Sequence, residues 1–394
     1  MERSAKKTQS LHRNRAYLPL LILLLSCSSA IVNLPPRDAN SQLGQSSARN
    51  LAPCKKILQW GWGEPNPGSM RRDIVRMERQ PFDGVVFNLV TPTGEPFATD
   101  FWGLKLFTLS DFRESLEDLK ATPFKRFTDL FLRVNLSAPS FDWFSEDDWK
   151  RVLANTAVAA QVAKEGKTKG FLFDVEQYSP HTLLDYKKQR HHDSKTFLEY
   201  SRQVKQRGEE WIREVNRYYP DITILFTFGY EHAQPRKWGQ SRSDSESALL
   251  SDFLDGILLG ATPNTSLVDA WESSYGYKKA RHFDDAYRTI KKDSAKWSVL
   301  PDKYRSQFMA GFALWMDFDS QEKGWNVQDP KQNYFTPQQF AGSLELAIQK
   351  TDRYVWIYTE KPNWWTNQQL PTEYVEAVIR ARNLLCQAVP LSER

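Results

Sequence analysis

From residue 56 onward one unit keeps returning along the chain. A short, β-rich apolar run is followed by a polar or aromatic loop and then by a stretch with helical periodicity. The runs are "KILQWGW" (56–62), "GVVFNLV" (84–90), "DLFLRVNL" (129–136), "GFLFDVEQY" (170–178), "TILFTFGY" (223–230), "GILLGAT" (256–262), "FMAGFALWMDF" (308–318) and "RYVWIYTE" (353–360). Helical stretches are expected over 69–79, 112–120, 146–164, 194–219, 243–253, 278–295, 337–349 and 371–386. "SEDDW" at Ser145 and "TPQQF" at Thr336 read as helix start signals. Strand–helix alternation predicts a parallel sheet, because parallel neighbours must be joined by crossovers. Eight units within residues 53–388 predict an α/β fold, a single (β/α)8 barrel. An open doubly wound sheet would carry a G-x-G-x-x-G turn after its first strand. Here "GWGEPNPGS" follows, with two Pro and without that spacing.

The barrel is preceded by a segment of another kind. "MERSAKKTQSLHRNRAY" is basic, "LPLLILLL" is an apolar run of signal-peptide length, and "SCSSA" follows. Residues 1–30 therefore read as a signal peptide, 31–52 as a polar tether and 389–394 as a tail. "LLSC" resembles a lipobox in which Cys27 becomes lipidated. Cleavage after Ala30 is the other reading, and both predict export: a periplasmic or outer-membrane lipoprotein, or a secreted protein. Membrane contact is expected only through a lipid at Cys27. The net charge of +5 lies largely in the first residues, so no nucleic-acid partner is read from it. Export leaves Cys54 and Cys386 in an oxidising compartment. They bracket the folded region and, in a closed barrel, meet where the first strand lies beside the last. A disulfide is expected there, and its long loop gives up to about 5 kcal/mol in the chain-entropy model. Two unlinked buried thiols would be the alternative.

Active sites of such barrels lie at the C-terminal ends of the strands. In a strand, residues two apart share a face. Asp174, Glu176 and Tyr178 therefore share one face of the fourth run, and Phe171, Phe173 and Val175 share the other. Buried carboxylates are costly unless something uses them. The other mouth candidates are Trp60, Trp62 and Glu64 after the first run, Asn88 after the second, and Arg133 and Asn135 on the third. Tyr230 ends the fifth, Trp315 and Asp317 the seventh, and Trp356, Tyr358 and Glu360 the eighth. Trp364 and Trp365 follow in a Pro- and Asn-containing loop, where adjacent Trp would face water. The chain holds 14 Trp, 15 Tyr and 23 Phe; part of these must be core, but so many Trp also suit a carbohydrate-binding cleft, where flat rings stack on sugar faces.

"GFLFDVEQY" resembles the second half of the D-x-x-D-x-D-x-E signature of glycoside hydrolase family 18, which includes the chitinases. That motif ends strand 4 of a (β/α)8 barrel. Asp174 takes the place of its last Asp and Glu176 that of its catalytic Glu. Lys169 and Leu172 stand where the first and middle Asp belong. "GWGEPNP", "PFDGVVF" and "EKPNWW" also resemble segments of exported bacterial barrel proteins of glycosidase type. The resemblance implies a glycosidase with a strand-4 acid, in which Asp174 assists Glu176 and helps polarise an N-acetyl group.

A glycosidase needs one acid for the leaving oxygen and a second group at the anomeric carbon. Two adjacent carboxylates cannot both ionise freely. The longer Glu176 is expected to be the general acid, with Asp174 assisting, or with Glu360 across the mouth as nucleophile. Asp317 is a further candidate. The same residues could instead form an ion-pair network with Arg133, and the barrel could bind glycans or support a surface complex without catalysis. "HHD" at His191–Asp193 sits before a helix and lacks a further ligand, so no metal is expected. No P-loop or G-x-S-x-G elbow occurs, and no cofactor is expected. The expectation is an exported monomeric glycoside hydrolase with a carbohydrate substrate.

Overall fold

The computed structural model describes residues 54–138, 141–177, 182–320 and 322–386. The expected signal peptide with Cys27, the expected tether and tail, and Tyr178 lie outside the described residues. Nine strand segments form one parallel sheet: β1 (Lys56–Gly61), β2 (Gly84–Phe87), β3 (Phe131–Asn135), β4 (Gly170–Asp174), β5 (Thr223–Phe226), β6 (Ser266–Asp269), β7 (Phe308–Ala310), β8 (Phe312–Trp315) and β9 (Tyr354–Thr359). Their order is β7-β6-β5-β4-β3-β2-β1-β9-β8. The two ends of that order are halves of one run, parted at Gly311. The Gly311 N–H donates to Asp269 O on β6 at 2.8 Å, and the next residues turn away to pair with β9. The sheet thus closes into a barrel of eight runs.

Period-two alternation builds two separate apolar regions. Leu58, Val86, Phe131, Leu172, Leu225, Val268, Ala313 and Trp356 fill the barrel's interior. Their neighbours Ile57, Val85, Leu132, Phe171, Phe173, Ile224, Leu267 and Val355 face the helices. The alternation read from "GFLFDVEQY" holds, with Phe171, Phe173 and Val175 on the helix side. Leu172, in the place of the signature's middle Asp, belongs to the apolar interior. Helix starts follow their local chemistry. Ser145 accepts from Asp148 N–H ahead of Glu146–Glu165, and Thr336 accepts from Gln339 N–H with Pro337 in the first turn of Pro337–Lys350.

One expected strand is a helix. "GILLGAT" continues the helix Leu250–Gly260, and the sixth strand is the short Ser266–Asp269 that follows it. The run is apolar because the helix is buried against the helix Phe197–Tyr218, not because it lies in the sheet. A Cβ at Gly256 would stand 1.9 Å from Lys205 O, so the two backbones touch there.

Cys54 and Cys386 are joined by a disulfide, with Cα atoms 4.4 Å apart. Beside it Lys55 N–H donates to Leu385 O at 2.8 Å. The bridge sits at the rim from which β1 starts, opposite the strand ends that carry the acids.

Candidate active site

The mouth is built from loops that leave the C-terminal ends of the strands. On β4, Asp174 is buried. One carboxylate oxygen accepts the Glu176 N–H at 3.0 Å, and the other accepts Asn135 Nδ2 from β3 at 3.3 Å. Thr227, just past β5, ties this corner together. Its hydroxyl accepts Val175 N–H at 3.0 Å and lies 3.5 Å from Asp174 Oδ1. Its carbonyl accepts Glu272 N–H at 2.9 Å.

Glu272 was not among the expected site residues. It follows β6 through Trp271, a non-glycine residue in the left-handed region with φ of 40°, whose N–H is taken by Asp269 Oδ1 at 3.2 Å. This turn carries Glu272 into the mouth, where carboxylate oxygens of Asp174, Glu176 and Glu272 all lie within 4.8 Å of one another. The signal that could have found it is the acid pattern "DAWE" (269–272), but the misplaced sixth strand hid its position.

A second pair lies alongside. Arg133 Nε from β3 stands 3.0 Å from Glu64 Oε1, and Trp60 Nε1 donates to the same oxygen at 3.2 Å. Arg133 thus partners Glu64, and its charge also reaches Asp174, whose proton affinity it lowers. Burial sets the electrostatics of the cluster. It pushes Glu64 up to about 7 despite Arg133 and Asp174 up to about 6. It raises Glu272 well above the usual carboxylate range, helped by the negative charge of Asp174 and Glu176. Tyr275 supplies Glu272 with a hydrogen bond.

Aromatic rings wall this corner. Trp60 packs on Trp356 at 5.0 Å and on Tyr358 at 5.5 Å between centroids. Tyr275 stacks on Tyr358 at 5.4 Å and meets Trp315 edge-on at 5.5 Å. Exposure sorts them. Trp356 is fully buried, its Nε1 bonded to Ala270 O at 2.9 Å, and Trp60 is buried too. Both are floor, not stacking faces. Trp315 and Tyr358 are partly open, and Trp62 is 68% exposed at the end of β1. Asn88 lies at the end of β2. Its Oδ1 and that of Asn135 are buried without a hydrogen-bond partner.

Several expected residues stand elsewhere. Trp364 and Trp365 are 1% and 7% exposed and belong to the outer core. Trp364 packs edge-on against Phe82 at 4.7 Å, and Trp365 Nε1 donates to Gly63 O at 3.0 Å. Their loop folds inward because that packing outweighs its polar flanks. Tyr230 is buried on the helix side, where its hydroxyl donates to Asp255 at 2.8 Å. Asp317 is buried and accepts the backbone N–H groups of Glu360 and Lys361 at 3.1 and 2.9 Å, and Trp315 Nε1 at 3.0 Å. That is a loop-holding role. Glu360 lies 3.4 Å from the Tyr358 hydroxyl, outside the trio of acids.

A cavity of about 340 Å³ opens beside this corner and not over it. Glu231, Trp271, Tyr277, His282 and Asp285 are among its lining residues. The acid trio offers oxygens of the kind hard cations take, and protons can balance their charge equally well.

No protein-family model matches the chain, and no curated protein matches it. Solved barrels superpose on it loosely. A thermostable mutant of a xylanase from Cellvibrio japonicus covers 84% of this chain and 98% of its own at 10% identity, with a TM-score of 0.45. A glycoside hydrolase family 5 enzyme from Prevotella bryantii covers 87% and 100%, also at 10% identity and 0.45. A sugar phosphate isomerase/epimerase from Parabacteroides distasonis covers 84% and 99% at 8% identity and 0.41. The barrel stands on this chain's own strand order, and its chemistry on its own side chains.

Proposed function

We propose that the protein is an exported glycoside hydrolase acting on a poly- or oligosaccharide, with Glu176 working directly at the glycosidic bond and Asp174 positioning it. The observation that carries this reading is the gathering of Asp174, Glu176 and Glu272 within 4.8 Å at the barrel mouth. Hydrolysis of a glycosidic bond needs two carboxyl groups in different protonation states, and a crowded, buried set of acids supplies them. Retaining enzymes hold the two about 5–5.5 Å apart, and inverting enzymes about 6.5–9.5 Å, to admit a water. The open faces of Trp62, Trp315 and Tyr358 suit the flat faces of sugars, and the unpaired Asn88 and Asn135 oxygens suit hydroxyl donors. Export is supported by the basic and apolar N-terminal segment and by the disulfide, which persists outside the cytoplasm.

The test is hydrolysis of a panel of cellulose, xylan, mannan, chitin and peptidoglycan by wild type and by Glu176→Gln. Wild type should release reducing ends from at least one of them. The variant should lose roughly a hundred- to ten-thousandfold in rate. A panel left intact by wild type, or a variant with normal turnover, refutes the reading. Binding of a glycan without turnover would identify a glycan-binding barrel instead.

A further inference from the structure

The geometry points to Glu272 as the proton donor of the hydrolysis and to Glu176 as the carboxylate that attacks the anomeric carbon. This deepens the glycosidase reading above and rests on it. Glu272 is 9% exposed, whereas Glu176 is half-buried. Its charge environment is one-sided. Asp174 and Glu176 face it from β4, the neighbouring Glu64 is matched with Arg133, and the group that hydrogen-bonds it is the Tyr275 hydroxyl. Burial and the facing carboxylates outweigh the opposing Tyr275 hydrogen bond and hold the carboxyl neutral, which is the state an acid catalyst must start from. The direction of its proton affinity agrees with this, since burial first and then Asp174 and Glu176 raise it.

A further observation sets the place apart from a merely crowded patch. Asn135 is 8% exposed, its Nδ2 is bonded to Asp174, and its Oδ1 has no partner. A buried acceptor left unpaired beside the acids costs free energy, and a ligand hydroxyl would satisfy it. The left-handed turn at Trp271 places Glu272. Thr227 O holds the Glu272 backbone at 2.9 Å, so the turn is anchored to the same threonine that touches Asp174.

The step balances with this chain's own groups. Glu272 gives its carboxyl proton to the glycosidic oxygen as the C1–O bond breaks, and the bonding pair leaves with the released alcohol. A Glu176 carboxylate oxygen forms the new bond to C1. In the second half, Glu272, now a carboxylate, takes a proton from water. The hydroxyl oxygen bonds to C1, and the bonding pair returns to Glu176.

The experiment compares a natural glycan from the panel with the 2,4-dinitrophenyl glycoside of the same sugar. A dinitrophenolate leaves without protonation, so it bypasses the acid. Glu272→Gln should lose roughly a hundred- to ten-thousandfold on the glycan while forming the glycosyl-enzyme from the dinitrophenyl glycoside at near wild-type rate, seen as a burst of dinitrophenolate. Glu176→Gln should lose both. The burst also shows that the variant is folded. In wild type at neutral pH, infrared spectra should show a protonated carboxyl band that weakens in Glu272→Gln. Active wild type with an unaffected Glu272→Gln, or a burst lost from a variant of unchanged melting temperature, overturns the assignment alone. So does activity that EDTA abolishes and calcium or magnesium restores. Wild type inactive on the whole panel overturns the glycosidase reading and this assignment with it.

Discussion

Asp269 shows how much a single buried acid can reveal. It is fully buried on β6, one oxygen bonded to Trp271 N–H and the other without a partner. Burial raises its pKa from 3.8 to about 7, and Glu231 adds to the shift. The folded protein therefore keeps a proton that the unfolded chain has lost over the window from about 4 to 7. Its contribution to stability is complete below that window and lost as pH rises through it. Glu64 and Asp174 act in the same direction. Asp269→Asn, which carries no titrating group, should lessen the fall in melting temperature between pH 5 and pH 8 relative to wild type. Parallel profiles for the two proteins would show that Asp269 is ionised in the fold. At this scale the sequence was partly legible. Period two placed Asp174, Glu176, Arg133 and Asn135 on the inner face, because the alternation of a strand is fixed by its geometry. Trp364 and Trp365 were misread because exposure was inferred from Pro and Asn neighbours, whereas Phe82 and Phe127 supply the cover from distant parts of the chain.

Among the elements, the helix Leu250–Gly260 marks where pattern reading fails. Its residues are almost all buried, so it has no polar face to betray a period of 3.6. The true sixth strand has four residues, too few to show alternation against its surroundings. Losing that strand concealed Glu272, which lies three residues beyond its end. The strands with longer apolar runs, β1, β3, β4 and β9, were legible to within a few residues. The glycines of this helix pair offer a test in which two effects oppose each other. Gly256→Ala should gain about 1 kcal/mol from helix propensity alone. The new Cβ would meet Lys205 O at 1.9 Å, in a contact mirrored by Gly208 against Phe253 O at 2.2 Å. Both atoms met are backbone and cannot swing aside, and overpacking of this kind costs about 1–3 kcal/mol. The clash should win, and denaturant unfolding should show a less stable variant. An equal or more stable Gly256→Ala would mean that the two helices can separate freely.

At the scale of the whole molecule the decisive contact joins residues 332 apart. Cross-linking so long a loop removes entropy from the unfolded chain worth up to about 5 kcal/mol, less whatever strain or residual structure intervenes. The double variant Cys54→Ser, Cys386→Ser should melt below untreated wild type and together with reduced wild type. Coincident melting of all three would show that the pairing of β1 with β9 already does the work of closure. The strand–helix repeat pointed to a barrel, although one of its eight runs, 256–262, is largely helix. The break that lets one run serve two neighbours was marked only by Gly311, a glycine inside an apolar run, which signals a bulge or close approach without saying which neighbours each half pairs with.

The bridge has another consequence. With Cys54 bonded to Cys386, the backbone from one to the other is a covalent ring. A ring has no interior point whose severing divides it. A protease that clips a single mouth loop would open the ring into a linear chain and release no fragment, and the eight runs would stay tethered to one another until a reductant arrived. Durability of this kind belongs to connectivity alone, and it leaves the mouth loops open to change in sequence and length without risking the integrity of the barrel beneath them.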